Sequence, residues 1–244
     1  MRLQKLSDIL SKDVDEEHIN STELAGLEQI QKTLVKLWGP IELENFLENT
    51  KSYREPILQF PQITTKQFNS SIKDKNVPKI IVDLMTIVNV DYRGYNGEIY
   101  HGQIVVHKDL ATSVKLIFKR ILNETKFPLT SVIPVSFYGW SDTASGTANN
   151  TSGFNWRLVS GTTEVSDHAF GSAIDINPYI NPWVKGDTTN DRYDINRLGT
   201  LTDNSEVVKI FKDEGWKWGG DWESSKDWQH FYRPDIPFKY FGKV

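Results

Sequence analysis

Apolar residues first fall at helical spacing over residues 22–38, TELAGLEQIQKTLVKLW, where Leu24, Leu27, Ile30, Leu34 and Trp38 share one face. Asn20, Ser21 and Thr22 offer N-cap oxygens, and Gly39-Pro40 stops the helix. A shorter helix is predicted over 41–48. Residues 50–78 are polar, include Pro56 and Pro61, and read as a connection. The expected organisation is an N-terminal helical segment with its linker, residues 1–75, followed by a main domain over 76–244 that folds without it.

Beyond the linker the pattern changes to β-branched runs. IVDLMTIVNVDY (81–92) and QIVVH (103–107) read as strands joined by the turn residues of YRGYNGE. Asp109 is placed to cap an amphipathic helix that buries Leu110, Val114, Ile117, Phe118 and Leu122. SVIPVSFYGW (131–140) reads as a strand, and the small polar residues of 139–153 as a long loop. SAIDI (172–176) reads as a short buried strand. A helix over 204–214 begins near Asp203, with Glu206 three residues on, and ends at Gly215. WKW (216–218) and DWQHFY (227–232) read as further strands. This order predicts an α+β domain with a central antiparallel sheet and flanking helices. No internal repeat is present.

Composition excludes several function classes. The chain has 244 residues, 38% of them hydrophobic, enough for a substantial core. A formal net charge of −4 without a basic stripe gives no basis for nucleic-acid binding. With no cysteine, any metal must be held by His, Asp or Glu. The first residues carry scattered charges and no apolar core of a secretory signal, and no apolar stretch reaches the roughly 18 residues of a membrane span. The expected location is the cytoplasm.

Candidate chemistry concentrates in SDHAFGSAIDIN (166–177) and SKDWQHFY (225–232). In the first, Gly171 permits a backbone bend after His168. Ala173 and Asp175 then share one strand face while Ile174 and Ile176 share the other. A carboxylate in an otherwise apolar strand needs a partner for its charge, and a metal is a common one. The second segment supplies His230 and, three residues earlier, Asp227. Two imidazoles and one carboxylate leave a fourth tetrahedral position for water, the pattern of catalytic zinc, and Asp227 then serves as a base that does not ligate. Spacing alone leaves these histidines open to surface or core roles. His18, His101 and His107 have no acid placed to join them. Trp156, Trp183, Trp218 and Trp228 lie near the two segments, as core or as cleft lining.

Ser166, His168, Gly171, Ala173, Asp175, Ile176, Asn177 and Pro178, followed by Asp227, His230 and Phe231, resemble the D-alanyl-D-alanine carboxypeptidase and L-alanyl-D-glutamate peptidase family. That family includes phage endolysins and vancomycin-resistance dipeptidases, and shares its fold with the zinc domain of hedgehog proteins. The resemblance covers residues 81–233 and implies one zinc per chain, held by His168, Asp175 and His230, with Asp227 as catalytic base. It also maps an essential arginine onto Arg157, at the end of the asparagine-rich ANNTSGFNWR (148–157). Ser166 either contacts substrate or holds the loop before His168. GWKWGGDW (215–222) resembles the L-alanyl-D-glutamate branch. The implied substrate is a peptidoglycan or muropeptide stem peptide, cut at L-Ala-D-Glu, and a phage lysin of this kind would be released to the cell wall by a holin-type route. The alternatives are a D-Ala-D-Ala carboxypeptidase or dipeptidase and a non-catalytic, hedgehog-like zinc module.

Overall fold

The computed structural model describes residues 62–186 and 190–237. His18 and the helices expected over 22–38 and 41–48 lie outside the described residues. The first element, α1 (Thr65–Ser71), is fixed by a capping box: the Thr64 hydroxyl accepts from the Gln67 N–H, and the Gln67 side chain accepts from the Thr64 N–H. Phe68 of α1 and the following Ile72 join Ile63, Ile81, Val105, Phe154 and Phe170 in one buried cluster. The stretch read as polar connection is therefore core-forming at its C-terminal end. Its few apolar residues are widely spaced among polar ones, too thin a pattern to announce burial.

Helix α2 (Lys79–Leu84) follows Pro78 and runs into strand β1 (Met85–Arg93). The β-branched run from 81 is thus helical at its start, because Ile81 and Leu84, three apart, both turn inward. β1 pairs antiparallel with β2 (Ile99–His107), from Met85↔His107 to Arg93↔Ile99. Gly102 of β2 lets β3 (Ser131–Val132) approach closely, since a Cβ there would lie 2.6 Å from the Val132 carbonyl oxygen. Helix α3 (Ala111–Glu124) covers β1 with Val114, Ile117, Phe118 and Ile121. Asp109 does not cap it: Asp109 lies inside a preceding 3-10 turn, where the His107 Nδ1 accepts the Asp109 N–H at 3.1 Å.

Two expectations fail between 131 and 153. Only Ser131–Val132 is extended; Pro134, with φ −55°, opens a 3-10 turn over Val135–Tyr138 that Gly139 closes at φ 62°. The expected loop contains helix α4 (Asp142–Thr147), whose N-terminus is satisfied by the Ser141 hydroxyl accepting from the Ala144 N–H at 3.1 Å. Strand β4 (Asn150–Thr151) then pairs parallel with β3.

The remaining strands build the site. β5 (Ala173–Asp175) and β7 (Lys217–Trp218) flank β9 (His230–Tyr232) in an antiparallel sheet, and β6 (Trp183–Lys185) pairs with β8 (Ser225–Asp227). The expected strand over 227–232 is thus two strands in two sheets, joined through Trp228 and Gln229. The sheets of the described residues are small and separate, in place of one central sheet, and the domain is α+β as anticipated. Helix α5 (Glu206–Asp213) starts after Ser205, later than expected, and ends at Gly215 with φ 79°. Its Phe211 stacks on Phe231 at 3.9 Å between ring centroids. The main core lies between the β1–β2 hairpin, α3, α5 and the inner face of the β5–β9–β7 sheet, which presents Ile174, Phe231 and Trp218.

Candidate metal centre

Strand alternation separates the two faces of β5 and β9. Ile174 pairs with Phe231 facing the core, so the neighbouring pair, Asp175 and His230, faces the opposite side. His168 reaches them from a 3-10 turn over Asp167–Phe170, capped by the Ser166 hydroxyl, which accepts the His168 N–H at 3.3 Å. Gly171 then reverses the chain at φ 64°; a Cβ would lie 2.5 Å from the His107 nitrogen. The predicted glycine bend is present, and no other side chain fits it.

His168 Nε2 lies 3.2 Å from an Asp175 carboxylate oxygen, His230 Nδ1 lies 3.0 Å from the other, and the two ring nitrogens are 3.3 Å apart. Both imidazoles are buried and the Asp175 side chain is 13% exposed. Donors held about 2.0–2.2 Å from a tetrahedral zinc are about 3.3–3.6 Å from one another, so these three need open by only tenths of an ångström to receive it. The donor set and its spacing fit zinc. His168 Nδ1 donates to the Gly153 carbonyl at 2.7 Å. A carbonyl only accepts, so Nδ1 carries a proton, and it is the neutral form of this ring that has the Nε2 lone pair a metal needs. Burial by itself works to raise the Asp175 pKa, but the charges and hydrogen bonds of His168 and His230 together outweigh it and hold the carboxyl well below its ordinary range. Burial lowers that of His230, and the bond to Asp175 reverses the effect.

The asparagine-rich approach to the site is scaffold. Fully buried Asn150 bonds to Ser131 Oγ, the Ile133 N–H and carbonyl, and Ser145 Oγ. Ser152 and Asp175 exchange both backbone hydrogen bonds, which sets the Gly153 carbonyl against His168. Asn177, at φ 44°, ties the end of β5 to the carbonyls of Pro128 and Gly199.

Asp227, at the end of β8, stands in the same electrostatic neighbourhood. Burial first, and the Asp175 charge second, raise its pKa from 3.8 to about 6, against the lowering influence of His230, of His168 and of a 3.0 Å bond from Gln229 Nε2. Gly219 lies directly under it, since a Cβ there would be 2.6 Å from the Asp227 carbonyl oxygen. Arg157 Nε donates to Asp142 at 2.9 Å and its Nη1 to the Leu158 carbonyl. Its own carbonyl receives the Ser166 N–H, which links it to the His168 turn through the backbone. His101 pairs with Asp91, and His107 is a buried cap.

The tryptophans divide by environment. Trp218 is core, Trp156 and Trp228 are partly buried against the two main clusters, and Trp183 is 51% exposed. Sequence reasoning missed Gly153, Gln229, Asp142 and Gly219. The Gly219-Gly220 doublet signalled a close backbone approach, whereas nothing marked a backbone carbonyl as a histidine's partner.

Among the described residues, no helix is long and apolar enough to cross a membrane. No solved structure matches the chain. Residues 160–233, which contain His168, Asp175, Asp227 and His230 but not Arg157, match the family model described as D-alanyl-D-alanine carboxypeptidase.

Proposed function

We propose that the protein is a zinc-dependent peptidase of peptidoglycan stem peptides that hydrolyses the L-Ala-D-Glu bond. The observation that carries the peptidase reading is the convergence of His168, Asp175 and His230 at tetrahedral spacing, with a carboxylate of raised pKa beside them. A zinc ion held there supplies Lewis acidity, which polarises a carbonyl and acidifies water. Asp227 takes a proton from the attacking water and passes it to the amine that leaves as the C–N bond breaks; a pKa near 6 suits both directions of transfer. Gln229 holds one oxygen of Asp227 and so leaves the other for the water. Gly153 keeps His168 in the tautomer that binds metal, and Asp175 balances the charge of the centre. Arg157, oriented by Asp142, meets the charge that develops on the scissile carbonyl oxygen.

The choice of bond rests on the GWKWGGDW segment, which resembles the L-alanyl-D-glutamate branch and props Asp227 through Gly219. The description of the matching family favours a second reading, removal of a terminal D-Ala. Purified walls treated with the zinc-loaded protein are expected to yield new N-terminal D-Glu or D-isoglutamine. Release of free D-Ala alone identifies the carboxypeptidase, and walls without new termini identify a binding module.

A further inference from the structure

Trp183 is a large apolar side chain left half in water, on a short strand that adjoins the proposed catalytic base. Its register decides which way it faces. Trp183 and Asp227 are direct cross-strand partners in the antiparallel β6–β8 pair, and directly opposed residues project from the same face with Cβ atoms about 4.5–5.5 Å apart. Val184, next along β6, turns to the other face and is buried, and Lys185 is exposed again. The indole is therefore on the side of β6 from which Asp227 serves the reacting bond. The backbone that delivers β6 is rigidly held: buried Asn181 donates to the carbonyls of Ile176, Asn177 and Gly199 and accepts from the Leu201 N–H at 2.7 Å. The ring stays 51% exposed in spite of this fixed setting, so it offers an open, flat surface and not an enclosed hole.

We infer that Trp183 is a substrate platform that stacks against the sugar ring to which the stem peptide is attached. This rests on the L-Ala-D-Glu reading above. Next to that bond the peptide itself offers only a methyl and a carboxylate, neither of which covers an indole. One residue back, the L-Ala nitrogen is acylated by the lactyl group of an amino sugar, whose ring carries a broad C–H face. A few ångströms of cross-strand spacing, extended by the indole, match that one-residue offset from the base. An amphipathic ring with an apolar face and an N–H edge complements a pyranose in the same way as it does other surfaces that are dry on one side and wet on the other.

The test compares two soluble substrates with the full-length, zinc-loaded protein. One is the free stem peptide; the other is the same peptide amide-linked to N-acetylmuramic acid. Wild-type protein is expected to show kcat/KM higher for the sugar-bearing substrate by about fivefold, the scale of one aromatic contact. Trp183→Ala should bring that ratio close to one with zinc content intact, and Trp183→Phe should restore part of it. A wild-type ratio of one, or a ratio that survives in Trp183→Ala, overturns the platform while leaving the cleaved bond as proposed. If wild-type protein cuts neither substrate between L-Ala and D-Glu, the reading of the bond falls and the platform with it.

Discussion

Asp227, the proposed base, is a side chain placed at a thermodynamic disadvantage. Its carboxyl is raised from 3.8 to about 6, chiefly by burial. From pH about 4 to about 6 the folded chain keeps a proton that the unfolded chain has released, so stability falls over that window, and the deficit persists above it. In protein stripped of zinc by a chelator, Asp227→Asn should therefore raise the melting temperature at pH 7.5, a pH about 1.5 above that value, and do so far less near pH 4. Equal shifts at the two pH values would refute the argument. Activity runs the other way. Asp227→Asn should keep close to one zinc per chain yet lose about 10²–10⁴-fold in hydrolysis, whereas His168→Ala, Asp175→Ala and His230→Ala should lose the metal, as elemental analysis will report. Zinc loss in Asp227→Asn equal to that in His230→Ala would make Asp227 a ligand.

At the scale of elements, the site is a matter of register. Asp175 faces His230 across one ladder and Trp183 faces Asp227 across another, so each strand delivers its functional side chain by pairing and not by sequence proximity. The short strand expected over 172–176, extended over 173–175, was legible because an acid alternates with its isoleucines, and α3 and α5 because their inward residues recur at helical spacing. The 131–153 region was not legible. Small polar residues there form a capped helix and a buried asparagine network, whose hydrogen bonds leave no trace in hydrophobic periodicity. The Gly153 tether is illegible for a related reason, since a carbonyl belongs to every residue. Gly219 offers a direct test of how firmly β8 must be seated. A methyl at that position meets the Asp227 backbone at 2.6 Å, so Gly219→Ala should displace the base and lower kcat by about 10–100-fold. Zinc content should hold, because the ligands lie on β5, β9 and the His168 turn. Unchanged kcat would show that the contact relaxes without moving Asp227.

For the whole molecule, the second core cluster ties the polar stretch before residue 75 to the body that carries the site. Ile63, Phe68 and Ile72 pack with Phe154 and Phe170, which bracket the Gly153 tether and the His168 turn. A chain without residues 1–61 keeps Ile63, Phe68 and Ile72; removing 1–76 strips these three buried side chains, worth about 1.5–3 kcal/mol each. A chain that starts at Gln62 should melt higher than one that starts at Val77 by well over ten degrees, and only the former should hold zinc at full occupancy. Matching melting temperatures would mean that the cluster closes without α1.

The link between β8 and β9 has a bearing on how such a protein is able to vary over generations. Trp228 and Gln229 alone separate the proposed base from a proposed metal ligand, and the two strands they join sit in different ladders. A codon gained or lost there shifts one ladder against the other and turns a side chain of the proposed site to the opposite face, while the reversal over residues 158–165, exposed over 158–164, is part of neither ladder. Lineages of this chain should therefore keep the length of the link, with insertions and deletions gathering in the outer reversal.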